Sequence, residues 1–289
     1  MKNILIIGGT GTLGKELIRQ LYKKSNIVCL SRCELKQKEL SFYFPKVKYI
    51  LGDIRDSNSL ERAFDISPKF DCVFLVAALK HIDILEKNIE ESVKTNILGT
   101  INVINACKKF GSSMLVFSST DKAVDPINCY GYSKALSEKL VLQNNDQEKL
   151  KTYVFRWGNI LGSRGSVVPY FVECLKAGKP IPVTDPRMTR FWLKIEDAVT
   201  FVLTTIKKEK PGLYLPPVKA ASVIKVISTL AKMMKIKKYR TVYVGKRNGE
   251  KLHERLRSEH DSVGVIQSNY ANLSLNDPEL KKLLLEFVK

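Results

Sequence analysis

Asn3-Ile4-Leu5-Ile6-Ile7-Gly8-Gly9-Thr10-Gly11-Thr12-Leu13-Gly14 is the stretch whose reading decides the fold. Ile4 to Ile7 form a short apolar run that reads as a buried strand. Glycines at 8, 11 and 14 follow without a gap, and Lys15 to Leu21 then carry a helical pattern. A strand that turns through glycines into a helix gathers free backbone N–H groups and the positive end of the helix dipole. Such a junction cradles a pyrophosphate, because glycine lets the backbone approach it closely. A glycine motif alone is a weak signal, and its place between strand and helix makes this one strong.

Outward from this junction, strand and helix alternate. Ile27–Leu30, Val47–Leu51, Cys72–Ala78, Met114–Phe117 and Thr152–Arg156 read as further strands. Asp56-Ser57 looks like an N-cap for a short helix over about 58–64. Glu91 to Phe110 reads as one long amphipathic helix, with Val93, Ile97, Ile101, Ile104 and Cys107 on one face. Asn128 to Leu142 is another helix. The alternation implies an α/β fold, with a doubly wound and mainly parallel sheet. After Trp157 the texture changes to a loop-like run through Pro169, with Ser166 placed to cap a helix to about Ala177. Ile181–Val183 is a brief strand, and a helix follows near Ile195 to Lys207. Residues 211–289 are expected to hold two or three helices and a short strand, Val242–Val244. The expected division is a nucleotide-binding domain of 1–157 plus about 190–215. A smaller, discontinuous C-terminal substrate-binding domain takes 158–189 and about 216–289.

Bulk properties narrow the class. The chain has 289 residues and a formal net charge of +19. Its lysines are spread along the chain and no nucleic-acid motif is present, so a solvated basic surface is expected rather than nucleic-acid binding. No stretch is apolar enough for a membrane span, and a cytoplasmic enzyme is expected. Six cysteines include no C-x-x-C pair and there are three histidines, which argues for reduced thiols and no metal site.

Chemistry concentrates in Ser118-Ser119-Thr120-Asp121-Lys122 and in Tyr130-Gly131-Tyr132-Ser133-Lys134. Polar side chains just past the C-terminal end of a buried strand are where open parallel sheets place their sites. Tyr130 and Lys134 lie one helical turn apart, on one face. An ammonium near the phenol favours the phenolate and draws its pKa down from about 10, as a base requires. The end of the second strand carries Ser31-Arg32, with Lys36 soon after, where an enzyme using NAD has an acidic residue for the ribose. Missing acid and added cations point to the 2′-phosphate of NADP. Asp53 can reach the adenine edge, Ala77-Ala78 lets a cofactor pass close, and Lys80 and His81 sit in a loop facing a substrate. Arg164, Arg190 and Arg247 are candidates for a pyrophosphate, for which forked donors are suited. His253 is expected to support the fold.

Together the glycine motif and Y-x-x-x-K resemble the extended short-chain dehydrogenase/reductase superfamily. Ala77–His81, Ser119–Ala123, Asn159–Pro169, Thr184–Trp192 and Gly249–Glu254 more specifically resemble the UDP-N-acetylglucosamine 4,6-dehydratases that invert C5. The resemblance covers about residues 3–255. It departs at Arg247-Asn248, where the family usually has Arg-Pro, and in the last thirty or so residues.

The resemblance implies a Rossmann-type domain with tightly bound NADP, regenerated in each cycle. Its contacts would be Gly8, Thr10, Gly11, Thr12, Leu13, Gly14, Ser31, Arg32, Lys36, Asp53, Ile54, Ala77, Ala78, Lys80, Tyr130, Lys134 and Ile160. UDP-GlcNAc would meet Lys80, Asn159, Arg164, Val167, Thr184, Arg190, Arg247 and Glu250. Tyr130, primed by Lys134, would take the 4-OH proton as hydride leaves C4, with Thr120 bonded to that oxygen. Lys122 would be the base at C5 and Asp121 the acid on the departing 6-hydroxyl. Hydride would return to C6 and a proton to the opposite face of C5. The product would be UDP-2-acetamido-2,6-dideoxy-β-L-arabino-hexos-4-ulose, a precursor of a deoxy amino sugar (L-rhamnosamine, L-fucosamine or pseudaminic-type) for surface glycans. A homo-oligomer, dimer or higher, would pair the helices at 91–110 and 128–142. A UDP-N-acetylhexosamine 4-epimerase and a non-catalytic NADP-sensing module are the rival readings.

Overall fold

The protein is described here as a computed structural model, which covers residues 1–146, 148–163, 165–259 and 266–288. It comprises two compact units, one of Met1–Arg156 with Val199–Leu215 and one of Trp157–Ala198 with Pro216–Lys289.

The first unit is built on a seven-stranded sheet. Its strands are β1 (Asn3–Ile7), β2 (Asn26–Ser31), β3 (Lys48–Leu51), β4 (Cys72–Leu75), β5 (Met114–Ser118) and β6 (Lys151–Phe155), with Gly212–Tyr214 as the seventh. The order runs from Gly212–Tyr214 through β6, β5, β4, β1 and β2 to β3, and every pairing is parallel. Helices cover both faces, so the central strands are continuously apolar rather than alternating. Ile4, Leu5, Ile6 and Ile7 of β1 are all fully buried. One face packs Phe64, Phe70, Leu115, Phe117 and Val154 into a single core. The helix Thr12–Leu21 buries Leu17, Ile18 and Leu21. Asp56 caps the helix Ser57–Phe64, accepting from the amides of Asn58 and Ser59 at 3.0 and 3.2 Å. Strand order reverses between β1 and β4, so the loops after these two strands open a crevice at the carboxyl edge of the sheet.

Three local expectations change. The segment expected as one helix over 91–110 is an α-turn, Ile89–Ser92, a π-helix, Val93–Leu98, and an α-helix, Gly99–Lys109. Glu34–Tyr43 is a helix that sequence patterning leaves unassigned, because its apolar residues Leu35, Phe42 and Tyr43 stay exposed and form no buried stripe. Residues 190–198 fall in the second unit, not the first. The strand Thr189–Leu193 lies between Asn159–Ile160 and Lys219–Ser222, and this pairing fixes its membership.

The second unit has its own core, in which Phe171, Leu175, Ile227, Leu230, Leu280 and Leu284 are buried together. Its helices include Val167–Lys176, Val223–Met233 and Asp277–Leu284. Ser166 stands at the N-cap of the first without making a side-chain cap. Asn276 and Glu279 form a reciprocal capping box at the start of the third. The chain's last helix is therefore part of this core, with Leu280 and Leu284 fully covered. Short strands are more numerous than expected, because Arg255–Arg257 and Ile266–Gln267 pair as well.

Candidate functional site

Gly8 leaves β1 with φ of 93°, a conformation that favours glycine. A Cβ there would stand 2.7 Å from the amide nitrogen of Ala77, so the loops after β1 and β4 approach backbone to backbone. A Cβ on Gly14 would stand 2.5 Å from the carbonyl oxygen of Gly8. Side chains at either position would fill the cradle that the turn forms. Gly11 caps the helix Thr12–Leu21 through its backbone alone. Thr10 is buried beneath the turn, and Thr12 and Leu13 open the helix with partly covered side chains. This all-backbone cradle at a helix N-terminus fits the pyrophosphate of a dinucleotide.

At the end of β2, Ser31 is buried and bonded to Gln37, whose Nε2 donates to Ser31 Oγ at 2.9 Å and to the Ile50 carbonyl at 2.8 Å. Gln37 thus ties the ends of β2 and β3 together. Arg32 is half exposed and lies 3.7 Å from Asp53. Burial pushes the Asp53 carboxyl upward, but hydrogen bonds from Arg55 outweigh it and hold the group below its ordinary range. Lys36 sits half-buried on the helix Glu34–Tyr43. Ile54 is a core residue packed against Gly99, where a Cβ would meet it at 2.7 Å. Ala77 and Ala78 are partly covered, and Lys80 is exposed in the loop beyond them.

β5 ends in the densest polar cluster. Thr120 caps a 3-10 turn, Asp121–Ala123, accepting from the Lys122 amide at 3.3 Å. Its hydroxyl donates to Asp121 Oδ1 at 3.0 Å, and Lys122 Nζ donates to the same oxygen at 3.0 Å. The Asp121 side chain is 1% exposed and that of Lys122 21%. The Tyr130 phenol feels both the Thr120 hydroxyl and the Lys122 charge. Burial pushes that phenol up to about 12, with the Lys122 charge and the Thr120 hydroxyl pulling it down and Asp121 pushing it up. Thr120, Asp121 and Lys122 are therefore joined by hydrogen bonds, and the Tyr130 phenol responds to all three.

Two features hold these groups in register. Asn128 caps the helix Cys129–Gln143, its Oδ1 accepting from Gly131 N at 2.7 Å. A Cβ on Gly131 would lie 2.4 Å from the Lys122 carbonyl, so the helix rests directly on the backbone of the 3-10 turn. A glycine inside a helical pattern signals such close approach, and this is how Gly131 could be found from sequence.

Lys134 lies one turn beyond Tyr130 on the same helix. It is 3% exposed, with its ammonium 3.7 Å from the centre of the Phe117 ring. The Lys122 charge lowers the Tyr130 phenol. Burial lowers Lys134 from its ordinary 10.5 to about 7, against the opposing charge of Glu138. Glu138 is itself held by Arg156, through Nε at 3.0 Å and Nη2 at 2.9 Å. The folded lysine sheds its proton near 7 and the unfolded one near 10.5, so between these values the unfolded chain binds more protons and stability climbs with pH. The native-state cost near neutrality is at most on the order of 4 kcal/mol. Lys134→Met is expected to raise stability at pH 7 and to flatten the rise between pH 7 and 9, as read by urea unfolding of both proteins. Parallel pH profiles would contradict this assignment.

Asn96, in the π-helix, anchors the loop after β4. Its side chain accepts from Leu79 N and donates to Leu79 O, both at 2.9 Å, and also reaches Ser133 Oγ at 3.0 Å. Its carbonyl accepts from the hydroxyls of Thr100 and Ser137 at 2.6 and 2.8 Å. The π-turn lets that carbonyl take two side-chain donors. Ser133 and Ser137 thereby join the Tyr130 helix to the Lys80 loop, a role that sequence spacing does not reveal.

The second unit carries the other expected residues. Asn159 and Ile160 form a strand paired with Trp192 and Leu193. Val167 opens its helix with a part-exposed side chain, and Thr184 donates to Met188 Sδ at 3.0 Å. Arg190 is a clasp. Its Nη1 donates to the carbonyls of Thr189 and Leu252 at 2.8 and 3.1 Å, and its Nη2 to that of Lys251 at 3.0 Å. Those bonds occupy the donors expected to meet a pyrophosphate. Arg247 is exposed at a turn closed by Glu250, whose amide donates to the Arg247 carbonyl at 3.2 Å. Arg164 lies outside the described residues. His253 is bonded to Thr189 Oγ1 at 2.8 Å, and burial with the charges of Arg190 and Arg187 holds its pKa down. No helix among the described residues is long and apolar enough to cross a membrane.

Residues 4–272 match the family model of polysaccharide biosynthesis proteins. A UDP-N-acetylglucosamine 4,6-dehydratase (inverting) of Campylobacter jejuni is 42% identical over 90% of this chain and 79% of its own length. A UDP-glucose 4-epimerase of Rickettsia bellii is 36% identical over 96% of this chain and 84% of its own. The structure of Pen from Bacillus thuringiensis has a TM-score of 0.89 at 30% identity, covering 99% of this chain and 98% of that one. With a glycine cradle at the switch point, a Thr-Asp-Lys turn and a Tyr helix on one sheet edge, the chain belongs to the polysaccharide biosynthesis protein family.

Proposed function

We propose that the protein is a UDP-GlcNAc 4,6-dehydratase that inverts C5 and uses NADP. The observation that carries this reading is the Asp121–Lys122 pair, hydrogen-bonded at 3.0 Å with the carboxylate buried, beside Thr120 and acting on the Tyr130 phenol. The likeness to the inverting Campylobacter dehydratase supports it. A dinucleotide whose pyrophosphate is held by the Gly8–Gly14 cradle would supply a nicotinamide able to take hydride from C4 of the sugar and return it at C6.

The protein's own groups manage the protons. Tyr130 takes the proton of the 4-hydroxyl, and Thr120 holds that oxygen in place. Asp121 and Lys122 share one proton across their hydrogen bond. Moved onto the carboxylate, that proton leaves a neutral amine beside a neutral acid, and burial favours this uncharged form. The amine removes the C5 proton and the acid protonates the departing 6-hydroxyl, so both halves of an elimination are primed by one transfer. A 4-epimerase needs Tyr130 and Thr120 but has no use for this pair. The presence of the pair favours dehydration over the rival readings.

Ser31 stands where an acidic residue would exclude a 2′-phosphate, and Arg32 and Lys36 offer cations there. This favours NADP over NAD. Lys80, Asn159, Arg164, Val167, Thr184, Arg247 and Glu250 are assigned to UDP-GlcNAc, and Arg190 holds the 251–254 segment that bears on the same ligand. The exposed apolar residues Ile89, Val93, Leu98, Tyr132 and Leu136 suit burial against a second copy of the chain, which supports a homodimer. Incubation with UDP-GlcNAc and identification of the product by NMR tests the assignment. A product retaining its 6-hydroxyl removes it.

A further inference from the structure

We propose a second anion site, for a small polyphosphate, at the amino-terminal edge of the first unit's sheet. A cavity of about 710 Å³ lies where β1, β2 and β3 begin. Lys2, Lys23, Lys24, Lys46 and Lys48 line it, and no aspartate or glutamate does. All five lysines are exposed. Among the described residues, none of their ammonium groups makes an ion pair or hydrogen bond. The neighbouring carboxylate, Asp71, is engaged by the backbone amides of Lys2 and Asn3. Five uncompensated charges around one concavity repel one another and focus a positive potential into it. A multivalent anion relieves that repulsion.

The size and residue type indicate the ligand. The volume lies within the range of small-molecule sites. Lysines are rotatable point charges, so they follow a phosphate chain without imposing the fixed fork of arginine. Tyr22, Ile27, Val28, Ile66, Pro68 and Phe70 form the apolar part of the wall, with the lysines around it. β1 rises about 3.3 Å per residue, so the basin stands roughly 17 Å from the Gly8 loop at the opposite sheet edge. It is therefore separate from the dinucleotide cradle, and its proposal stands whether or not the reaction assigned above is correct.

The test titrates inorganic tripolyphosphate into the full chain, with NADP and UDP present in excess to fill the other site, and reads heat and melting temperature. One saturable site is expected, with a melting shift that sodium chloride at equal ionic strength does not reproduce. Lys23→Gln with Lys48→Gln is expected to weaken binding about tenfold. Lys149→Gln with Lys207→Gln, which removes the same charge elsewhere on this unit, is expected to leave it within about twofold. ATP in place of tripolyphosphate separates the sources. Tighter binding of ATP, lost in the Lys23/Lys48 variant, assigns a nucleoside polyphosphate, and tighter binding of tripolyphosphate assigns a free phosphate chain. Absence of saturable heat, equal loss in both double variants, or a melting shift matched by sodium chloride overturns the proposal.

Discussion

Lys122→Ala stops the loss of water from UDP-GlcNAc while the protein keeps its fold. The side chain is 21% exposed and lies on a 3-10 turn, so truncation opens no sealed cavity. What disappears is the amine that removes the C5 proton, together with the partner that shares a proton with Asp121. Loss of a general base costs roughly a hundred- to ten-thousand-fold in rate. A second effect adds to it. Lys122 is the charge that most lowers the Tyr130 phenol, so its removal leaves that phenol higher still. Lys122→Arg separates the two roles, because arginine keeps the charge near Tyr130 but does not surrender a proton. The expected pattern is reduced-cofactor absorbance on adding UDP-GlcNAc to the Arg variant, without formation of a C6 methyl. Normal dehydration by the Ala variant would remove Lys122 from the chemistry.

Tyr130→Phe stops the reaction one step earlier. The ring still fills its half-buried place, so the fold is retained, but the atom that accepts the 4-hydroxyl proton is gone. Burial outweighs the opposing groups and leaves the phenol raised to about 12, which makes it a poor base by itself. Lys122 and Thr120 oppose that shift, and Lys134 stands one turn away over Phe117. A loss of roughly a hundred- to ten-thousand-fold is expected. Unlike Lys122→Arg, this variant should give neither reduced cofactor nor product in a single turnover. Appearance of reduced cofactor at the normal rate would assign the first proton to another group.

The two variants also divide what the sequence makes legible from what it does not. The sheet could be read because its strands are buried on both faces and appear as unbroken apolar runs, each followed by a glycine turn or a polar loop. The cluster at 120–122 and 130 could be read because adjacent residues past a strand end are close in any fold. Partners distant in sequence were hidden. Nothing in the spacing reveals that Asn96 grips Leu79 from a π-turn, or that Gly131 lets the Tyr130 helix touch the Lys122 carbonyl. The ammonium of Lys134 packs over the Phe117 ring, a contact that the spacing of one helical turn does not reveal. Arg190 reads as a pyrophosphate candidate from its type, and the three carbonyls it binds within its own unit are not legible from the sequence. The helix Glu34–Tyr43 escaped because its apolar side chains face outward.

The central claim is that a carboxylate and an amine sharing one proton eliminate water across C5 and C6. Proton NMR of UDP-GlcNAc turned over in deuterated water reads this directly. The account predicts a new methyl group at C6, deuterium at C5 and an inverted C5 configuration. An axial 4-hydroxyl with the 6-hydroxymethyl group intact and no deuterium at C5 would contradict it.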